Sequence, residues 1–159
     1  MLREKEKGVE HIVADSLEEV IFAQGYAHAQ SRLWQMERGR RFASGRLSEV
    51  LGPKGINLDK FSLTLGFKRA AELTWQNTMD KVGTPDDWVS DTDIMNMKAY
   101  AAGVNEYLNT VTLLPPEFIA LGIKPEPWDP LDSLVAMKIM NFHLSLNWSQ
   151  DLLRFVLTE

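Results

Sequence analysis

The segment from Leu131 to Leu146 restricts the fold more than any other. Leu131, Leu134, Val135, Ala136, Met137, Ile139, Met140, Phe142, Leu144 and Leu146 leave Lys138, Asn141 and Ser145 as a narrow polar line. Asp129 is placed to cap this stretch, and Pro130 takes the first helical position, where no amide hydrogen bond is needed. A helix that is apolar nearly all round must be covered on more than one side. The spacing therefore predicts a mainly helical protein in which this element is central, and buried in the complete protein.

Length and composition narrow the class further. A chain of 159 residues fits a single domain over 1–159. With 45% hydrophobic and 25% charged residues, disorder and collagen-like sequence are excluded. No apolar run approaches the ~18 residues of a membrane span, so no membrane partner is expected. The absence of cysteine excludes a disulfide scaffold, a thiolate metal site and a cysteine nucleophile. Charge without an apolar segment behind it, in Met-Leu-Arg-Glu-Lys-Glu-Lys, predicts no signal peptide within this chain.

The net charge is −5, being +3 over residues 1–70 and −8 over 71–159. Arg38, Arg40, Arg41 and Arg46 form a basic cluster, but Glu37 and Glu49 lie among them. That balance is too weak for a nucleic-acid partner and predicts a solvated surface of mixed sign.

Other elements follow from periodicity. Residues 9–14 read as a short strand after a turn at Gly8. Ser16 and Glu19 have the spacing of a capping box. Behind it Phe22, Tyr26, Ala29, Leu33 and Met36 recur at helical spacing, with Gln24, His28, Ser31, Gln35 and Arg38 as the polar stripe. Gly39 and Gly45 weaken that helix, and Gly52-Pro53 ends the segment. Residues 54–66 look irregular. Helices are expected from Lys68 to Met79, after Ser90 or Asp91, and from Pro115-Pro116 to Gly122. Gly103 sits inside the second of these at a cost of ~1 kcal/mol against alanine, which close packing on another segment would explain. Pro85 to Val89 reads as a loop, 124–130 as an extended entry, and Asn147 as the cap of a last helix to about Val156.

No self-contained active site emerges. None of the nine serines lies in a G-x-S-x-G elbow. His11, His28 and His143 form no H-E-x-x-H pair and no i, i+4 pair. His28 reads as a buried hydrogen-bonding residue, and His143 reads equally as a core histidine.

The order of the segments adds to this. G-V-E-H-I-V-A-D-S over 8–16 resembles the opening strand of the penicillin acylase family. A-Q-G-Y-A-H-A-Q-S-R-L-W-Q-M-E over 23–37 is similar to its most recognisable helix, continued by Arg40-Arg41 and by S-G-R-L-S-E-V-L-G over 44–52. Y-A-A-G-V-N over 100–105, L-P-P-E-F over 114–118, P-E-P-W-D-P-L-D-S over 125–133 and L-S-L-N-W-S-Q-D-L-L-R over 144–154 follow in the family's order. The resemblance covers nearly the whole chain.

It implies the helical α-chain portion of an αββα N-terminal-nucleophile hydrolase, with a short N-terminal strand. The nucleophilic serine, its α-amino base and the oxyanion donors would lie on a β chain cut from the same precursor. No residue of this chain is then catalytic, and the chain alone is expected to be inactive. Its substrates would be small acyl amides: penicillin, an acyl-homoserine lactone or a relative. The acyl-pocket helix of the family has the pattern M-x-x-R-F, and Met140-Asn141-Phe142-His143-Leu144 matches it locally. Met140, His143 and Leu144 are thus the implied substrate-binding residues, with leucine in place of phenylalanine favouring alkyl acyl groups. Periodicity does not separate pocket wall from core on so apolar a helix. The family's calcium ligand is the glutamate of N-W-x-x-E, here Asp151. An acid in the first turn of a helix is also explained by the helix dipole. The resemblance further implies a periplasmic or secreted enzyme. The last helix runs to the end of the chain without a cap, which reads as a fragment. A free-standing helical binding module is the alternative.

Overall fold

The computed structural model describes residues 2–4, 7–84, 89–145 and 147–158. Its centre is a pair of helices, α1 (Leu17–Ala43) and α5 (Asp91–Thr110). Ser16 Oγ accepts the Glu19 amide at the start of α1, as expected, but the Glu19 carboxylate reaches the amide of Asp15. Ser90 and Asp93 form a complete capping box on α5.

These helices meet at glycine. A Cβ on Gly103 would overlap the Phe22 carbonyl oxygen and lie 2.8 Å from its carbon. One on Gly25 would overlap the Tyr100 carbonyl oxygen. The two backbones therefore touch at both crossings, which accounts for a glycine in the middle of α5. Ala29, Leu33, Ala101 and Val104 extend the contact, and Phe118 and Trp128 complete the core.

Gly45 does not weaken α1 but ends it. It has φ +67, and the amides of Gly45 and Arg46 return to the carbonyls of Phe42 and Arg41. This paired closure at a left-handed residue is a Schellman stop. A single turn, α2 (Ser48–Leu51), follows.

Residues 54–66 are not irregular. A 3-10 turn (Gly52–Gly55) leads into α3 (Ile56–Leu65). Periodicity misleads here because the inward face of α3 is polar. Asp59 and Ser62 are buried, while Ile56, Leu58, Phe61, Leu63 and Leu65 are exposed. Asp59 accepts the amides of Leu47 and Ser48 at 2.6 and 2.8 Å, so a carboxylate serves as the cap of α2. Burial raises its pKa, and the hydrogen bonds from Ser48 and Leu47 outweigh that, leaving a net lowering.

Gly66, with φ +70, joins α3 to α4 (Phe67–Lys81). The short helix α6 (Pro116–Leu121) closes on Gly122, and α7 (Pro130–Leu144) packs through Val135 on Ala71 of α4 and on Ala43 at the end of α1. The last element is α8 (Trp148–Thr158). The expected strand over 9–14 is shorter. Leu2–Arg3 (β1) pairs antiparallel with Glu10–His11 (β2), and among the described residues nothing pairs with the chain beyond. Of the expected loop Pro85 to Val89, all but Val89 lies outside the described residues, as does Leu146. No described helix is long and apolar enough to cross a membrane.

Candidate functional site

The start of α7 is built by local chemistry. Asp129 and Asp132 form a reciprocal capping box, with Pro130 in the first turn. Asn105 of α5 fixes the approach: its Oδ1 accepts the Trp128 amide at 2.7 Å and its Nδ2 donates to the Trp128 carbonyl at 2.9 Å. Trp128 Nε1 donates to Ser133 Oγ at 3.0 Å.

Only one face of α7 is covered by this chain. Leu131, Leu134, Val135 and Ile139 face the second core cluster, and Phe142 meets the rings of Phe61 and Phe67. Among α7 residues, Val135 alone is fully buried. Met137, Met140 and Leu144 are 57%, 56% and 79% exposed. Steps of three and four place them on one face, so the helix carries a second apolar stripe with no cover. Of the predicted pocket residues, Met140 and Leu144 share this stripe. His143 is exposed beside them, its ring 6.0 Å from that of Phe142, and is not a core histidine.

Asp151 is exposed on α8, 3.4 Å from Asn147 Nδ2 and 3.7 Å from Arg154 Nη1. Calcium takes six to eight oxygens, and no group of three or more candidate metal ligands forms among the described residues.

Of the arginine cluster, Arg38 is exposed and Arg46 partly so, as a solvated surface requires, but Arg40 and Arg41 are not on the surface. Glu37, Arg40 and Arg41 are buried, because the 124–130 entry folds over them. Glu37 bonds both arginines. Arg40 also reaches Asp132 and the carbonyls of Pro127 and Glu126, and lies 5.3 Å over the Trp128 ring. Arg41 and Arg46 share Glu49 and Glu126. The hydrogen bond from Arg46 is the main cause holding Glu126 down to about 2, against partial burial, with the charges of Arg46, Arg41 and Arg40 adding to it. Glu49 is lowered chiefly by the same guanidinium, and Arg46 is raised in turn. Thus α1, the extended entry and α7 are locked together by charge.

Because the folded pKa of Glu126 is depressed, its contribution to stability is complete above the ordinary value of 4.5. It should be lost as the pH falls from there towards about 2. The carboxylate is 41% exposed, so the effect is reduced by solvent and should weaken in salt. Urea midpoints measured across that range should fall less steeply in Glu126→Gln; equal slopes would sink this assignment.

A cleft of about 490 Å³ lies between α1, α5 and α7, lined by Met36, Met97, Tyr100, Trp128, Met137 and Ile139, with Arg40 among its polar members. Sequence reading missed it, since its walls come from three distant segments. The only advance signal was the excess of apolar residues on α7. His28, expected to be buried, is exposed, though its Nδ1 is 2.9 Å from Tyr100 Oη.

A sequence model of penicillin amidase matches residues 2–159. The chain is 31% identical over 159 residues to the acyl-homoserine lactone acylase QuiP of Pseudomonas aeruginosa, covering 99% of this chain and 18% of that protein. It is 35% identical over 142 residues to the penicillin acylase 2 proenzyme of Pseudomonas sp. strain SE83, covering 89% and 17%. The solved thermostable penicillin G acylase from Alcaligenes faecalis superposes with a TM-score of 0.68 at 26% identity, covering 94% of this chain and 73% of that chain. The chain therefore spans less than a fifth of the curated relatives it matches.

Proposed function

Because the chain belongs to the penicillin amidase family, we propose that residues 1–159 are the α-chain portion of an amidohydrolase that cleaves N-acyl amide bonds. One observation carries this reading. The chain covers 73% of a solved acylase chain but 17% of a curated proenzyme. Those proportions suit one short chain of an enzyme processed from a longer precursor.

In this reading the β chain supplies a serine nucleophile, its α-amino base and the oxyanion donors. The present chain supplies part of the acyl pocket. Met140 and Leu144 offer adjoining apolar surface one turn apart, and His143 stands at the rim, where it hydrogen-bonds a polar part of the substrate. Asp151 gives a single carboxylate to calcium, and the remaining oxygens come from the β chain. The substrate is a penicillin, an acyl-homoserine lactone or a related acyl amide. The enzyme works in the periplasm or outside the cell.

In the complete two-chain enzyme, Leu144→Phe should raise kcat/KM for a phenylacetyl amide relative to an octanoyl amide by about ten-fold. A flat ring fills a slot that branched methyls only line, and such a mismatch is worth ~1–3 kcal/mol. The chain alone should give no turnover with either substrate. Unchanged ratios in both Leu144→Phe and Met140→Ala would make α7 a plain structural helix, and turnover by the repurified chain alone would overturn the α-chain reading.

A further inference from the structure

Four helices each contribute a phenylalanine ring to a cluster behind the end of α7. Phe42 of α1 stacks on Phe61 of α3, with centroids 6.4 Å apart and planes 8° from parallel. Phe61 and Phe67, the first residue of α4, both meet Phe142 of α7 edge-on, at 5.9 and 5.5 Å. Such T-shaped pairs are a favoured geometry of aromatic rings, which are rigid plates and do not bend to fit.

Through Phe142 this cluster holds the last turn of α7 to the rest of the chain. From Met140 to Ser145 every residue but Phe142 is exposed. Ser145 closes the turn on itself, its Oγ donating to the carbonyls of Asn141 and Phe142. Met140 and Leu144 lie two residues either side of Phe142, about 200° round the helix. The face that carries them is therefore opposite the face that the rings support. A rigid block behind a helix sets how far its front stands out, because close-packed interiors pass displacement on.

We propose that Phe61 is a positioning residue for acyl-chain length: through Phe142 its ring holds the last turn of α7 forward, and so sets how far Leu144 reaches into the acyl pocket. The inference rests on the acyl-pocket reading of Met140 and Leu144, and adds to it a residue that touches no substrate. Phe61 is 42% exposed, so its ring does not fill a sealed core. With the ring gone, the last turn of α7 collapses part of the way into the space behind it. Leu144 then withdraws, the pocket deepens, and longer acyl chains are favoured.

The readout is the ratio of kcat/KM for an N-decanoyl over an N-hexanoyl nitroanilide in the complete two-chain enzyme. That ratio does not change when part of the enzyme is merely unfolded, so it separates positioning from loss of stability. Phe61→Leu should raise it about five-fold, short of the roughly ten-fold of a full methylene mismatch because the collapse is partial. Phe61→Tyr retains the ring and should keep the parent ratio. Leu58→Ala, equally exposed on α3, should keep it too. Phe142→Leu should raise the ratio by itself, and Phe61→Leu added to it should contribute less than about two-fold, since both act through one contact. The inference is overturned by a parent-like ratio in Phe61→Leu, by a Phe61→Tyr ratio that follows Phe61→Leu, or by an undiminished gain on top of Phe142→Leu. If Leu144→Phe still shifts acyl preference, the acyl-pocket reading survives such a result; if neither variant shifts it, both fall. Where Phe61→Leu yields no mature enzyme, an unchanged ratio in Phe142→Leu alone overturns the proposal.

Discussion

Glu37→Ala should destabilise the chain by about 3–5 kcal/mol, the usual cost of removing one partner from a buried ion pair. Glu37 is 2% exposed and bonds Arg40 and Arg41, whose side chains are 4% and 7% exposed. Alanine would leave two guanidinium groups short of charge where water does not reach. Asp132, Glu49 and Glu126 remain and soften the loss, which keeps the estimate within that range. A domain of this size is stable by roughly 5–15 kcal/mol, so the urea midpoint should fall steeply. Glu37→Gln keeps the shape and one acceptor and should fall between. Arg38→Ala, at an exposed position on the same helix, should change stability by no more than about 0.5 kcal/mol. A Glu37→Ala midpoint matching the parent would mean that the network is solvated.

For Gly103→Ala, helix propensity and packing predict opposite signs. Propensity favours alanine by about 1 kcal/mol. Against it, the new Cβ would overlap the Phe22 carbonyl oxygen and lie 3.0 Å from the Tyr26 amide nitrogen. Both are backbone atoms of a long helix and cannot turn aside as a side chain does. Relief requires α1 and α5 to separate, loosening Ala29, Leu33, Ala101 and Val104 together. Overpacking costs about 1–3 kcal/mol and occasionally more, and a backbone clash belongs at the upper end. Net destabilisation of about 2 kcal/mol is expected, growing with Gly103→Val. Adding Gly25→Ala should cost less than it does alone, because the helices are already apart. Thermal unfolding of the single and double variants would check this. A stabilised Gly103→Ala would place propensity above packing and contradict the observed crossing.

Much of the fold was legible in local chemistry. Ser16, Ser90 and Asp129 cap the helices they precede, and Gly122 stops α6. Such signals act over three or four residues, so the spacing of residue types is enough to read them. Where the chain departs from expectation, the inward face is polar or the partner is remote. The helix α3 hides Asp59 because distant amides at Leu47 and Ser48 need an acceptor. Arg40 and Arg41 are buried because residues some 85 positions later fold over them.

Candidate site residues divide in the same way. Met140, His143, Leu144 and Asp151 were singled out by their place in a resemblance, and pattern alone could not tell which face of α7 is covered. By itself the sequence determined that this helix exists, where it begins, and that it has apolar surface to spare on every side. Only the tertiary structure decided that Leu131, Val135 and Ile139 meet this chain's own core while Met137, Met140 and Leu144 do not. The physical reason is that hydrophobic burial has no direction of its own. Which stripe of an all-apolar helix is covered depends on where distant segments bring their surfaces, and here Ala43 of α1 and Ala71 of α4 set that side.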